Sequence, residues 1–164
     1  MKKLKVALIG CGVVGLRRIK YFGKKFSLIA CADKNINKLK KLFPKKKFFL
    51  TNDWKEILKI DNLDAVFIAT YHSSQSKIIE SFLKKNIHIF CEKPGGTSYK
   101  ETLRLLKLKK RKKRVCIKIG YNHRFHPGFI LAKKIISKNE IGKIMYIRGV
   151  YGHGGRKNYH KEWR

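Results

Sequence analysis

The residues best suited to chemistry begin with Gly10-Cys11-Gly12-Val13-Val14-Gly15, set between the apolar run Val6-Ala7-Leu8-Ile9 and the mixed stretch Leu16-Arg17-Arg18-Ile19-Lys20. In a strand, turn and helix of this spacing the first glycine permits a tight turn and the second removes a side chain that would block a pyrophosphate. The third lets helix and strand pack closely. The amides of Val13, Val14 and Gly15 open the helix, so their unpaired N–H groups and the positive end of the helix dipole face one point. An anion belongs there. About twenty residues downstream a second apolar run, FSLIACA, ends in Asp33, where a dinucleotide-binding unit sets the acid that takes the adenosine ribose hydroxyls.

Three further clusters lie at the ends of apolar runs. Ala69-Thr70 closes DAVFIAT, Glu92-Lys93-Pro94-Gly95-Gly96 follows IHIFC, and Tyr121-Asn122-His123-Arg124-Phe125-His126-Pro127 follows VCIKIG. The segments between them must position these groups. Residues 35–43 carry Ile36, Leu39 and Phe43 at helical spacing and stop at Pro44; residues 48–50 form a short third strand. Thr51, Asn52 and Asp53 cap a brief helix at 54–59, and Ser73 or Ser74 caps a longer one whose buried stripe is Ile78, Ile79, Phe82 and Leu83. Residues 99–110 are a further amphipathic helix. Strand alternating with helix this regularly predicts an α/β fold, a doubly wound parallel sheet of the Rossmann type over residues 1–120, with its ligand crevice along the carboxyl ends of the strands.

Past Gly120 the pattern changes. Pro127 suits a helix N1 position, residues 129–136 carry an apolar stripe, Asn139-Glu140-Ile141-Gly142 makes a turn, and residues 143–151 read as a strand with no visible partner. Residues 121–164 are expected to be the beginning of a second domain that is cut off.

Composition bounds the function classes. The chain has 164 residues, 43% of them hydrophobic, enough for one core, and a formal net charge of +31. That charge would suit a polyanion only if clustered. Lys45-Lys46-Lys47 and residues 107–114 (KLKKRKKR) are dense, but the remainder is spread over every predicted helix, so most of it reads as solvated surface with no specific nucleic acid partner. Met1-Lys2-Lys3 ahead of Leu8-Ile9-Gly10-Cys11 imitates a lipoprotein leader. Its apolar core, residues 6–9, is far shorter than the roughly seven to fifteen residues a secretory signal needs, and no run approaches the roughly twenty of a membrane span. A cytoplasmic protein is expected, without membrane attachment. Cys11, Cys31, Cys91 and Cys116 form no C-x-x-C pair and have no His at ligand spacing, so no metal is expected and the four read as buried free thiols.

With GCGVVG, DAVFIAT, CEKPGG and GYNHRFHP in this order and spacing, the whole chain resembles the Gfo/Idh/MocA oxidoreductases, the glucose–fructose oxidoreductase and inositol dehydrogenase family. The resemblance implies NAD or NADP in the Rossmann half and hydride transfer with a hydroxyl or keto group of a sugar or cyclitol. Carried over by position, it implies that Gly10, Gly12, Val13, Val14 and Gly15 hold the pyrophosphate, with Cys11 among the cofactor-binding residues, and that Asp33 takes the adenosine ribose. Ala69 and Thr70 border the nucleotide, Glu92 and Lys93 lie beside the nicotinamide, and Asn122 is near nicotinamide and substrate. Lys93 is then the catalytic lysine, an ammonium that hydrogen-bonds the reacting oxygen and steadies its charge, and Lys93–Pro94 is expected to be cis. Asp33 favours NAD, because a carboxylate repels the extra phosphate of NADP; Lys34 and Lys38 would soften that preference. The sequence departs from the family after Ala69-Thr70, where Tyr71-His72 stands in place of the usual proline and Gln75 in place of the usual His. A second catalytic element, an Asp followed four residues later by a His, would lie beyond Arg164, and His153, His160 and Glu162 lack its context. The expected domain 121–164 is therefore the truncated start of an α+β substrate domain, and the chain an incomplete dehydrogenase. Two protein partners suit such a chain, a second copy or a complementing chain that supplies the missing sheet. Two other readings stay open: a basic nucleic-acid-binding protein, and a decayed or non-catalytic NAD-binding module.

Overall fold

The computed structural model describes residues 3–45 and 48–152. It divides into two compact units, Met1–Tyr121 and Asn122–Arg164.

The first unit is built on six strands: β1 (Leu4–Ile9), β2 (Phe26–Ala32), β3 (Phe49–Thr51), β4 (Ala65–Ile68), β5 (His88–Cys91) and β6 (Ile117–Ile119). They pair in the order β3-β2-β1-β4-β5-β6, every pair parallel. This is the order of the doubly wound dinucleotide-binding fold, whose crevice opens where the order reverses, between β1 and β4. Helices α1 (Val13–Lys20), α2 (Ile36–Leu42), α3 (His72–Lys84) and α4 (Tyr99–Arg111) make the crossovers, with a 3-10 segment at Trp54–Lys59. Strands covered on both faces are apolar at successive positions, which is why Val6, Ala7, Leu8 and Ile9 are all buried. Ala7, Ile9, Val66, Ile68 and Ile89 meet Ile78, Ile79, Phe82 and Leu83 of α3 on one face; Leu8 and Cys31 meet Leu39 of α2, with Leu16 and Ile19 of α1, on the other.

Helix boundaries follow local chemistry. Asn35 caps α2 by accepting from the Lys38 amide at 2.9 Å, and Asp53 caps the 3-10 segment through the Lys55 amide at 3.0 Å. Ser98 caps α4 through the Glu101 amide, and the Glu101 carboxylate reaches back to the Thr97 amide at 2.7 Å. The bond from Thr97 is the largest cause holding the Glu101 carboxyl below its usual range. At α3 the expected serine cap is not used. The helix begins two or three residues earlier, at His72 after Tyr71, and Ser74 sits inside its first turn, its hydroxyl 2.9 Å from both the Tyr71 carbonyl and Thr70 Oγ1 and able to donate to either.

The second unit holds a 3-10 turn, Asn122–Phe125, and helix α5 (Pro127–Ser137), which starts with Pro127 after His126 as N-cap. Asn139 and Gly142 take the left-handed conformation in the turn that follows. The strand expected over residues 143–151 is not formed: these residues are extended or irregular and carry no ladder. An isolated strand leaves its N–H and C=O groups without partners, so the β-prone sequence IMYIRGV is insufficient alone. The expectations on His153, His160 and Glu162, and on Lys46 and Lys47, lie outside the described residues.

Candidate dinucleotide and catalytic site

Register brings the candidate residues together. Thr51, Ala32, Ile9, Ile68, Cys91 and Ile119 pair in sequence across the sheet as the last residues of their strands. The ladder continues one residue further: Gly10 N–H donates to Ala32 O at 2.8 Å, Ala69 N–H to Ile9 O at 2.7 Å, Glu92 N–H to Ile68 O at 2.8 Å and Asp33 N–H to Thr51 O at 3.1 Å. Asp33, Gly10, Ala69 and Glu92 thus form one row along the carboxyl edge, with Thr70 and Lys93 next beyond. Asn122 lies outside this unit and opens the second one.

Two glycines of the loop are required by the fold itself. Gly10 has φ +90°, and a Cβ there would sit 2.5 Å from the Ala69 carbonyl oxygen; at Gly15 it would collide with the Gly10 carbonyl oxygen. Gly12 is different: its φ is −73°, and a Cβ would meet nothing within 4 Å. No steric demand of the folded chain requires a bare backbone at Gly12, which leaves the face of the loop open beside the N-terminus of α1. Val13, Val14 and Gly15 form the first turn of α1, whose N–H groups have no intrahelical acceptor. Val13 is 73% exposed.

Cys11 has a role the sequence did not reveal. Its amide donates to Asp33 Oδ2 at 2.8 Å, while Asp33 Oδ1 accepts from the Asn35 amide at 3.1 Å. The acid is thereby tied to the glycine loop. The Cys11 amide serves Asp33 rather than an incoming anion, and its side chain is buried.

On the opposite side of the crevice Lys93–Pro94 is cis, Lys93 is exposed, and Gly95 has φ +84°. Glu92 is largely buried and paired with Arg18 of α1, whose Nε lies 2.5 Å from Oε1 and whose terminal nitrogen also contacts that oxygen. The Arg18 guanidinium lies over the Phe90 ring, 5.3 Å from its centroid. Sequence reasoning missed Arg18. Its one available signal is position: it follows Gly15 by three residues and so shares its helix face.

Burial, with the neighbouring Glu92 charge second, pushes the Cys91 thiol up to about 12. A hydrogen bond with Cys11, then burial, raises that of Cys31. Cys11, Cys31 and Cys91 are buried, whereas Cys116, also expected to be buried, is exposed just ahead of β6. Among the described residues no group of three or more His, Cys, Asp or Glu converges as a metal site, and no helix is long and apolar enough to cross a membrane.

An open cradle at Gly12, helix-opening amides beyond it and a carboxylate tied to the same loop fit a dinucleotide. Comparison with known proteins agrees. The family model for the Gfo/Idh/MocA "oxidoreductase family, NAD-binding Rossmann fold" matches residues 4–121. An uncharacterised oxidoreductase, YrbE of Bacillus subtilis (strain 168), is 28% identical over 144 residues, covering 86% of this chain and 42% of its own. Inositol 2-dehydrogenase of Salmonella paratyphi B is 22% identical over 151 residues, covering 89% and 45%. Among solved structures, myo-inositol 2-dehydrogenase from Lactobacillus plantarum superposes with a TM-score of 0.77 at 26% identity, over 88% of this chain and 44% of that one. The scyllo-inositol dehydrogenase from Lactobacillus casei, solved with bound NAD(H) and scyllo-inositol, gives 0.77 at 22% identity, over 87% and 43%. The chain spans less than half the length of these relatives. A strand order, a glycine loop and a family match that coincide over the same residues lead to one assignment: the chain belongs to the Gfo/Idh/MocA oxidoreductase family and carries its NAD-binding Rossmann fold.

Proposed function

We propose that the chain is the cofactor-binding part of an NAD-dependent dehydrogenase that acts on a hydroxyl or keto group of a sugar or cyclitol. The observation that carries this reading is the strand-end row, Asp33, Gly10, Ala69 and Glu92, with the open cradle at Gly12 beside it. In it Gly10, Gly12, Val13, Val14 and Gly15 hold the pyrophosphate, with Cys11 fixing Asp33 for the adenosine ribose, and Ala69 and Thr70 wall the nucleotide. Bound nicotinamide supplies the hydride chemistry. Lys93 hydrogen-bonds the reacting substrate oxygen and stabilises the charge that grows there; a cation placed in advance does so without reorganising water. Glu92 and Asn122 border the nicotinamide. Asp33 prefers NAD to NADP by charge, with Lys34 and Lys38 opposing it.

Residues 121–164 are, in this proposal, the beginning of the substrate and dimerisation domain, with a second copy or a complementing chain supplying the rest. Unpaired thiols at Cys11, Cys31 and Cys91 suit a reducing cytoplasm. The basic run at 107–114 is surface charge at a helix end, where cations complement the carbonyl dipole: Lys109 and Lys112 each donate to a main-chain carbonyl at 3.4 Å.

Titration of NADH into the chain, followed by nicotinamide fluorescence, tests the proposal. Saturable binding is expected. Gly12→Val should weaken it at least about tenfold, a steric block of the phosphate approach, while stability falls by no more than the roughly 1 kcal/mol of a poorer helix N-cap, because a Cβ there meets nothing within 4 Å. Asp33→Ala should weaken it further. No saturation at millimolar cofactor, or normal binding by the double variant, overturns the reading. Binding rather than turnover is the readout, since the chain spans less than half of its relatives.

A further inference from the structure

We infer that Gln75 is a positioning residue for Lys93, a single buried side chain that joins the end of β4 to the segment carrying the lysine. The inference rests on the reading of Lys93 given under the proposed function. Gln75 lies on the inner face of α3, 0% exposed, on the face that also buries Ile78, Ile79, Phe82 and Leu83. A primary amide in such a place is costly unless both of its ends are paired. Both are. Nε2 donates to the Thr70 carbonyl at 3.2 Å, and Oε1 accepts from the Gly95 amide at 2.8 Å. The partners fix which way round the amide sits, because the carbonyl of Thr70 requires a donor and the N–H of Gly95 an acceptor.

Those two partners are the reason the contact concerns the site. Thr70 follows Ala69, whose carbonyl is the group against which Gly10 of the glycine loop packs. Gly95 stands two residues after Lys93. Gln75 therefore connects the backbone that supports the pyrophosphate loop with the backbone that aims the lysine. The same segment is held at a second point, where Tyr121 Oη donates to the Pro94 carbonyl at 3.2 Å. On its other side Glu92 is fixed by Arg18. Lys93 is bracketed by anchored neighbours while its own side chain is exposed. A leucine or methionine would fill the space of Gln75 without either bond, and an ionised glutamate could not donate to Thr70. A neutral histidine, with one ring nitrogen a donor and the other an acceptor, can do both.

The test compares two ligands on the full chain by calorimetry: NADH, and ADP-ribose, which lacks the nicotinamide. Gln75→Leu should weaken NADH about tenfold, because the segment carrying Lys93, no longer held through Gly95, must then be ordered when the nicotinamide binds, a cost of the size of one net hydrogen bond. It should leave ADP-ribose within about twofold, because its contacts at Gly12 and Asp33 are untouched. Gln75→His, measured at pH 8, should recover most of the NADH affinity. Should the leucine variant fail to fold, Gln75→Met carries the same expectation. Equal weakening of both ligands would mean that Gln75 only supports the fold, and unchanged NADH affinity that its bonds are dispensable; either result overturns the inference while leaving the cofactor reading standing. If the unsubstituted chain binds neither ligand, the cofactor reading falls and takes the inference with it.

Discussion

Helix α3 turns Ile78, Ile79, Phe82 and Leu83 inward until each is at most 1% exposed, whereas α5 leaves Phe129, Ile130, Leu131 and Ile136 between 44% and 62% exposed. The two have similar lengths, 13 and 11 residues, and both carry an apolar stripe. The difference lies in what each meets. The stripe of α3 lands on Val66, Ile68 and Ile89 of a parallel sheet, and Trp54 closes over Phe82 with ring centroids 6.3 Å apart. An amphipathic pattern specifies a face, and only a complementary surface turns that face into a core. Matched truncations can break this comparison. Phe82→Ala should cost about 3–5 kcal/mol in urea unfolding, the transfer and cavity loss of a buried ring. Ile130→Ala should stay within about 0.5 kcal/mol, as for other exposed sites. Comparable losses would show that α5 is as fully covered as α3.

The cysteines sharpen the same contrast by chemistry. Cys91 belongs to the core that α3 covers, and burial holds its thiol up at about 12, so at pH 8 it is almost wholly protonated. Cys116 is exposed. A disulfide reagent at pH 8 should label Cys116 promptly, and Cys91, Cys31 and Cys11 only as fast as urea opens the sheet. Phe82→Ala should accelerate Cys91 labelling by raising the open population. Ile130→Ala should leave it unchanged. Prompt labelling of Cys91 in the unsubstituted protein would contradict the packing described for α3.

Much of the first unit was legible because its signals are local. Continuous apolar runs mark the doubly covered strands, glycine and proline punctuate them, and alternation with helices dictates a parallel sheet. Once strands are parallel and in order, their ends share an edge, which is why Gly10, Asp33, Ala69 and Glu92 form a row although residues 10 and 92 are remote in sequence. What could not be read were pairings between distant side chains. Arg18 and Glu92 are 74 positions apart and Gln75 and Gly95 are 20 apart, and no periodicity announces either contact. Gln75 stands on a buried helix face, where composition alone predicts an apolar residue. The strand expected over 143–151 failed for the converse reason: propensity is local, but a ladder needs a neighbour.

The smallest expected effect comes from the outer edge of the α3 packing. Glu80 pairs with Lys84 one turn along at 2.8 Å and with Arg104 of α4 at 3.0 Å. The hydrogen bond from Lys84 is the largest cause of its carboxyl lying below the usual range, and the Arg104 charge adds to it. A depressed carboxylate pKa contributes stability that is present above the ordinary value and lost as pH falls through the folded one. Because these pairs face water, Glu80→Gln should cost only about 0.5 kcal/mol at pH 7, against the several expected for Phe82→Ala. The urea midpoints of the two proteins should converge as pH falls through the lowered pKa of the folded carboxyl, below which Glu80 is protonated in both folded and unfolded states. On the second unit, Lys138 and Glu140 meet at 3.7 Å with both side chains more than half exposed, so Glu140→Gln should give a smaller gap at every pH. A Glu80→Gln difference that persists undiminished once the carboxyl of the folded protein is protonated would show that the ion pairs with Lys84 and Arg104 are not the source of its contribution.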